Sequence, residues 1–229
     1  MLLDTGNSQH SIFGLAPIPF YYKMLDESQF QFIEVLMQIA KKEMKSNILE
    51  VPNERHISET PMAHSRYDMF VESINPAIGV WHGIKTNNFL GLGAIYQEVA
   101  ALQNYIVSEY SNCLQFGEGE QGRINPLITE NWIQFYKNGD FKALHNHERY
   151  FPPVYKSMWS GAFYLNDGNP DLTKKYSGLF SFKYRGQNIY IKPKKGLMIM
   201  WQSDLLHEVH PFYGTEDRVV LNWNIVNNI

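Results

Sequence analysis

The chain has 229 residues, of which 44% are hydrophobic and 19% are charged, and its formal net charge is −3. This composition predicts a well-packed core and excludes global disorder, and the charge offers no electrostatic attraction to nucleic acid or to an anionic membrane. The single cysteine, Cys113, excludes an intramolecular disulfide and a cysteine-based zinc site. We therefore expect neither a nucleic-acid partner nor a membrane partner.

The N-terminal half predicts one edge strand and two helices. Residues 1–20 lack the basic start and long apolar run of a signal peptide, and no apolar run is long enough to span a bilayer, so we expect a cytoplasmic protein. Residues 11–24 predict a proline-interrupted strand at a sheet edge. Residues 26–44 predict a helix with an acidic first turn. Residues 89–113 predict a second helix, whose apolar stripe consists of Leu92, Ile95, Val99, Leu102 and Ile106.

After a glycine-rich loop at 115–126, the spacing of hydrophobic residues changes from the three or four residues typical of a helix to the two residues typical of a strand. Short β-branched or aromatic runs separated by turn residues predict strands at 131–136, 158–166, 178–184, 197–201, 207–212 and 218–226. Helices followed by strands, without alternation, argue against a doubly wound parallel sheet. We predict a mainly β fold, an antiparallel jelly roll with the helices packed outside, in a single domain: residues 1–128 supply the N-terminal strand and helices, and residues 129–229 the core. A homodimer is compatible with the sequence, which contains nothing that requires one.

Histidines in the C-terminal half carry the strongest chemical signal. His145 and His147 are one residue apart, so an extended strand places both side chains on one face. His207 lies on a distant predicted strand and can complete a set of three ligands, because neutral imidazole binds iron, zinc, copper and nickel. His210 is three residues from His207, so the two face opposite ways on an extended strand and do not both bind one metal.

Arg218 opens the last predicted strand, RVVLNWNIV. Val220, Asn222 and Asn224 share its face, whereas the other face is wholly apolar and predicts packing. A buried guanidinium without a partner would be costly, so the polar face predicts the barrel interior and an anionic ligand for Arg218. The alternative is that Arg218 pairs on the surface with Glu208, Glu216 or Asp217.

These residues resemble the motifs of the Fe(II)/2-oxoglutarate-dependent dioxygenases, and most closely a bacterial and phage subgroup with a His-x-His first motif. The resemblance covers roughly residues 130–226. In chain order it comprises a Tyr-x-x-Gly-Asp turn at Tyr136, Gly139 and Asp140, then His145 and His147, a Ser-Gly-x-x-Tyr-Leu strand at 160–165, a Gly-x-x-x-x-Trp strand at 196–201, His207, and Arg218 eleven residues later.

The resemblance implies a double-stranded β-helix and an oxygenase that uses Fe(II) and 2-oxoglutarate. His145, His147 and His207 would bind the metal. Arg218 would bind the far carboxylate of 2-oxoglutarate, helped by Tyr136 or Tyr164, with Asn222 as a further hydrogen-bond donor. The products would be succinate, CO₂ and a hydroxylated substrate, which is an unidentified protein side chain or small molecule.

The chain departs from the family pattern at two positions. Most members have Asp or Glu where this chain has His147, and Glu148, Asp140 and Asp167 are alternative carboxylate ligands. Val220 stands where a small hydroxyl residue is common.

Two other functions stay open because of the absent carboxylate. One is a jelly-roll module that binds a metal without oxygenase activity. The other is a three-histidine metalloenzyme that does not use 2-oxoglutarate, in which Arg218 would bind an acidic substrate directly. Arg218 separates the first from an oxygenase, because a structural metal site needs no carboxylate receptor.

Overall fold

The computed structural model describes residues 2–3, 10–15, 18–45, 84–87, 89–114, 125–147 and 156–227. Most of the predicted irregular region, at 46–83, lies outside the described residues. So do most of the predicted glycine-rich loop, at 115–124, and the segment 148–155 that follows His147.

The first helix, α1 (Phe30–Lys45), begins four residues after the predicted start at residue 26, and the predicted acidic first turn is not part of it. It follows a short 3-10 turn, Glu27–Gln29, that a capping box closes. Asp26 accepts a hydrogen bond from the backbone N–H of Ser28 (2.8 Å), and its own N–H donates to the side chain of Gln29 (3.3 Å). One face of α1 is buried through Ile33, Leu36, Met37 and Ala40.

The second helix, α2 (Gln97–Cys113), starts eight residues later than predicted. Residues Phe89–Ala94 form a 3-10 helix instead, and Gly93 packs so closely that a Cβ there would lie 3.2 Å from the backbone of Ala100. Val99, Leu102 and Ile106 are buried as predicted, but Ile95 is 74% exposed. The prediction for Ile95 was wrong because the turn before α2 takes it off the helical stripe.

Twelve strands are present in the described part of the chain. They are β1 (Leu2–Leu3), β2 (His10–Leu15), β3 (Ile18–Met24), β4 (Ile84–Asn87), β5 (Pro126–Tyr136), β6 (Lys142–His145), β7 (Lys156–Asn166), β8 (Phe180–Tyr184), β9 (Gln187–Ile191), β10 (Leu197–Gln202), β11 (His207–Val209) and β12 (Arg218–Asn227).

The strands form two sheets, which confirms the predicted jelly roll. The larger sheet has the order β2-β3-β10-β7-β12-β5-β4, and the smaller has the order β1-β9-β8-β11-β6. All pairings in the larger sheet are antiparallel. The proline-interrupted segment lies at one edge of this sheet, as predicted, but it forms two antiparallel strands, β2 and β3, and not one. Strand β9 was not predicted, and β5 begins five residues before the predicted start.

The larger sheet separates two apolar cores. One face packs against α1 and α2 through residues that include Trp159, Met198, Met200 and Trp223. The other face lies inside the jelly roll and packs against the smaller sheet through residues that include Trp201, Phe180 and Phe182. The alternation of β12 follows the prediction: Val219, Leu221, Trp223 and Ile225 face the helices, and Val220 faces the interior. No helix in the described ranges is long and apolar enough to cross a membrane.

Candidate active site

Three strands or strand ends bring the predicted histidines together inside the jelly roll. His145 ends β6 and lies directly opposite His207, the first residue of β11, in the antiparallel register. His147 lies two residues beyond β6, in a bend, and not on a continuous strand as predicted. Its backbone N–H donates to the carbonyl oxygen of Ser203 (2.8 Å), which returns the side chain toward the other two.

The three imidazole rings form a compact cluster. Their ligand nitrogens all lie within 4.8 Å of one another. The ring centroids are 4.2 Å apart for His145 and His207, 5.1 Å for His145 and His147, and 5.0 Å for His147 and His207. His147 and His207 are buried, whereas His145 is half-buried. Three imidazoles at this spacing suit a divalent transition metal such as iron, which leaves further coordination positions open.

Carboxylates do not enter the cluster among the described residues. Asp140 instead closes the turn before β6: its Oδ2 accepts from the backbone N–H of Lys137 (2.7 Å), next to Gly139 with φ of +87°. The Asp167 side chain accepts from the N–H of Asn169 (3.2 Å) in an exposed turn. Glu148 lies outside the described residues.

Each histidine has an oxygen acceptor against its Nδ1. In His145 this is the carbonyl of Ala143 (2.7 Å), and in His207 the carbonyl of Leu205 (2.8 Å). A carbonyl only accepts, so Nδ1 carries the proton and Nε2 carries the lone pair that a metal needs. Burial, together with the neighbouring histidines, lowers the pKa of His145 and His207 well below the ordinary value of 6.5. Both rings are therefore neutral, and available to a metal, at physiological pH.

Arg218 is fully buried at the start of β12. It lines a small cavity together with the predicted residues Tyr136, Tyr164 and Asn222, and with Ala162, Phe180, Val209 and Val220. Phe180 also stacks against the His207 ring at 5.7 Å, so one wall of the cavity reaches the histidine cluster. The alternative, a surface pairing of Arg218 with Glu208, Glu216 or Asp217, is not observed among the described residues. Asn222 donates to the carbonyl of Val220 (3.4 Å) at the same cavity.

Backbone carbonyls hold the guanidinium in place. Its Nη1 donates to the carbonyl of Gly178 (2.5 Å) and its Nε to that of Asp167 (3.3 Å). Its Nη2 is buried and has no hydrogen-bond partner in the described structure. Arginine keeps its charge even though burial lowers its pKa. A cationic donor left unpaired in a buried cavity fits a carboxylate ligand.

The two tyrosines beside Arg218 stay protonated. Burial raises the pKa of both Tyr136 and Tyr164 well above the ordinary value of 10.0. Tyr136 is the direct cross-strand neighbour of Arg218 on β5, and Tyr164 faces Val220 from β7. Their hydroxyls can therefore donate hydrogen bonds to an anion at any physiological pH.

His210 lies apart from the cluster. Its side chain is buried against those of Ser181 (3.2 Å) and Glu208 (3.5 Å). By contrast, Phe180 and Phe182, on either side of Ser181 in β8, face the interior. The alternation along β8 and β11 thus sends His207 inward and His210 away from it, as the spacing predicted. The other histidines, at positions 10, 56, 64 and 82, have no described side chains.

Several residues of the site were not predicted. Ser160, Ser203 and Asn224 contact His147 or one another, and Gly178 contacts Arg218. For Asn224 the signal was present, since it shares the polar face of Arg218. Ser203 and Gly178 lie in turns between strands, where no periodic pattern marks them.

The comparisons with known proteins agree with this geometry. Residues 130–224 match the family model described as "Putative 2OG-Fe(II) oxygenase". No curated protein matches the chain by sequence. The fold is similar to that of a Pseudomonas putida prolyl-4-hydroxylase, with a TM-score of 0.60, 14% identity, and coverage of 94% of this chain and 96% of that chain. It is also similar to the non-heme alpha ketoglutarate dependent carbocyclase SnoK from nogalamycin biosynthesis, with a TM-score of 0.58, 9% identity, and coverage of 91% and 79%. Residues 130–224 of this chain are therefore similar in sequence to the 2OG-Fe(II) oxygenase family, a class of oxidoreductases.

Proposed function

We propose that the protein is an Fe(II)- and 2-oxoglutarate-dependent hydroxylase in which His145, His147 and His207 bind the metal and Arg218 binds the cosubstrate. The observation that carries the proposal is the unpaired, buried Nη2 of Arg218, in a cavity whose wall reaches the histidine cluster. A metal-binding module without activity has no need of such a group. An anion with two carboxylates matches a site that offers a metal at one end and a guanidinium at the other.

Each residue of the candidate site has a distinct role in this proposal. The three neutral imidazoles hold Fe(II), which supplies the activation of O₂ when it is bound. Arg218 fixes the far carboxylate of 2-oxoglutarate, and Tyr136 or Tyr164 adds a hydrogen bond, so the keto acid end is oriented toward the metal. Asn222 adds a donor at the same cavity. The apolar walls formed by Ala162, Phe180 and Val220 restrict water beside the cosubstrate.

The overall reaction would consume one O₂ and one 2-oxoglutarate for each substrate. One oxygen atom enters succinate as CO₂ is released, and the other enters a C–H bond of the substrate as a hydroxyl group. The substrate is a protein side chain or a small molecule, and we expect the reaction to take place in the cytoplasm. The two similar folds belong to enzymes named for different reactions, prolyl hydroxylation and carbocycle formation, so the fold does not select a substrate.

An anaerobic titration tests the proposal. 2-Oxoglutarate is added to Fe(II)-loaded protein while the visible charge-transfer band of keto acid chelation is recorded. The wild type should develop the band. In Arg218→Met the dissociation constant for 2-oxoglutarate should rise about 10- to 150-fold, because a hydrogen bond to a charged group contributes about 1.5–3 kcal/mol.

Two further variants make the titration specific. Arg185→Met removes an exposed arginine from the turn after β8 and should leave the band unchanged. His147→Ala should weaken Fe(II) binding itself. Iron binding by the wild type without a band would overturn the use of 2-oxoglutarate and would favour the three-histidine metalloenzyme. An unaltered affinity in Arg218→Met would overturn the role of Arg218.

A further inference from the structure

His147 differs from the other two histidines in what holds its ring. Nδ1 of His145 and of His207 faces a backbone carbonyl. Nδ1 of His147 instead lies 2.8 Å from the side-chain oxygen of Asn224 and 2.8 Å from the hydroxyl of Ser160. Its orientation and tautomer therefore depend on side chains, which can adopt more than one arrangement, and not on the fixed path of the backbone.

A carboxylate determines which way the Asn224 amide points. Nδ2 of Asn224 donates to Oε2 of Glu130 (2.8 Å). Because an ionised carboxylate only accepts hydrogen bonds, the nitrogen of the amide must face Glu130 and the oxygen must face His147. That oxygen accepts from Nδ1 of His147, so Nδ1 carries the proton and Nε2 carries the lone pair.

Two serines complete the arrangement. The Ser160 hydroxyl donates to the same Asn224 oxygen (2.8 Å) and lies 2.9 Å from the Ser203 hydroxyl, so it can accept from Ser203. Ser160, Ser203 and Asn224 are all buried, and the backbone carbonyl of Ser203 also holds the N–H of His147. One assignment of donors and acceptors therefore satisfies all the hydrogen bonds of this set.

The register of the larger sheet brings the set together. Asn224 on β12 is the direct cross-strand partner of Glu130 on β5 and of Ser160 on β7. The three residues thus form one row across three neighbouring strands. A shift of register at β12 would separate them.

We propose that Asn224, fixed by Glu130 and supported by Ser160, is the positioning residue that presents Nε2 of His147 to the metal. This inference rests on the proposed function only in that His147 is a ligand. The Asn224 side chain, oriented by Glu130, accepts the hydrogen bond from Nδ1 of His147, as a backbone carbonyl does for His145 and for His207. Loss of a residue that accepts a hydrogen bond from the distal N–H of a ligating histidine typically weakens metal affinity by about one or two orders of magnitude.

Ring nitrogen chemical shifts from ¹⁵N-labelled protein test the tautomer without a substitution. The full-length protein is measured metal-free and zinc-loaded at neutral pH, and the His147 signals are identified by their loss in His147→Ala. We expect a protonated Nδ1 and an unprotonated Nε2 at His147 in the metal-free protein, and zinc should shift the Nε2 signal. A protonated Nε2 in the metal-free protein would overturn the proposal.

Fe(II) affinity, measured anaerobically by competition with a chelator, tests the role. Asn224→Leu should raise the dissociation constant about 10- to 100-fold. Asn227→Leu is the matched control: Asn227 is a buried asparagine at the end of the same strand, and its side chain accepts from the N–H of Asn125 (2.7 Å). Its effect on Fe(II) affinity should stay within about twofold, even where it lowers stability to a similar extent.

A reciprocal exchange separates positioning from packing. Asn224→Asp alone places two carboxylates side by side and should weaken binding. Combined with Glu130→Gln it restores a donor opposite an acceptor, so the double variant should regain at least the affinity of the wild type. Equal losses in the double variant and in Asn224→Leu would overturn the proposal. A wild type that does not bind Fe(II) would instead overturn the proposed function, which keeps the two failures distinct.

Discussion

Gly178 is the position where one added methyl group should disable the carboxylate receptor. The residue adopts φ of +58°, and its carbonyl accepts from Nη1 of Arg218. A Cβ at this position would overlap both terminal nitrogens of the guanidinium. Arg218 has little room to retreat, because it is fully buried and its Cζ lies 4.5 Å from the centre of the Phe212 ring. Gly178→Ala should therefore displace the guanidinium from its present hydrogen bonds.

The expected loss has two parts that can be separated. A non-glycine residue in the left-handed region costs about 1–2 kcal/mol of stability, and this part should be shared by Gly186→Ala, because Gly186 has φ of +78° and open space around its Cβ position. The second part belongs to Gly178 alone. Displacing Arg218 should raise the dissociation constant for 2-oxoglutarate about 10- to 100-fold, which corresponds to one or two charge-assisted hydrogen bonds.

Thermal unfolding and the anaerobic 2-oxoglutarate titration, run on both variants, provide the assay. Both variants should unfold a few degrees below the wild type, as about 1–2 kcal/mol predicts for a chain of this length. Only Gly178→Ala should lose affinity for 2-oxoglutarate, while its Fe(II) affinity stays unchanged. If the two variants bind 2-oxoglutarate equally well, then Arg218 accommodates the methyl group, and the close packing of Gly178 does not fix the position of the guanidinium.

Two further predictions concern stability. Glu109 on α2 is buried and accepts hydrogen bonds from Tyr21 and from Lys23 on β3. Glu109→Ala should lower the free energy of unfolding by about 2–4 kcal/mol, because it leaves a buried hydroxyl and an ammonium without their acceptor. Glu109→Leu combined with Tyr21→Phe and Lys23→Met removes all three polar groups and should recover most of that loss in urea titrations. His207 is buried, and its pKa is lowered. The folded metal-free protein therefore binds fewer protons than the unfolded chain at acidic pH. Its free energy of unfolding should fall as the pH decreases below about 6.5, with a slope of up to about 1.4 kcal/mol per pH unit from this residue. His207→Gln should reduce that slope, and an unchanged slope would contradict the assignment.

Periodicity predicted those parts of the molecule whose side chains alternate between two environments. The last strand is the clearest case. Its odd-numbered residues from 219 to 225 pack against the helices, and Arg218 and Val220 face the interior. The helix α1 could also be predicted, because its apolar residues recur at helical spacing within one short stretch of the chain.

Features that depend on distant parts of the chain were not readable. The bend that holds His147 requires the carbonyl of Ser203, 56 residues away. The exposure of Ile95 follows from a 3-10 helix whose tight packing against Ala100 becomes evident only in three dimensions. Strand β9 begins with Gln187 and Asn188, whose polarity conceals it. In each case tertiary contacts override the local pattern.

The candidate ligands are held by two different kinds of contact, and this difference has a consequence for the metal centre. His145, His207 and Arg218 all depend on backbone carbonyls, which any residue type can supply. Their orientation is therefore insensitive to substitution of the residues that hold them, provided that the backbone path is kept. His147 depends on the Asn224 side chain, and the resemblance to the oxygenase family places it where most members carry a carboxylate. A neutral imidazole leaves the centre more positive than a carboxylate would, whereas Glu130 places a negative charge two hydrogen bonds from the ring. Substitution of Glu130 or Asn224 is thus one way to adjust the charge around the proposed metal site without altering a ligand.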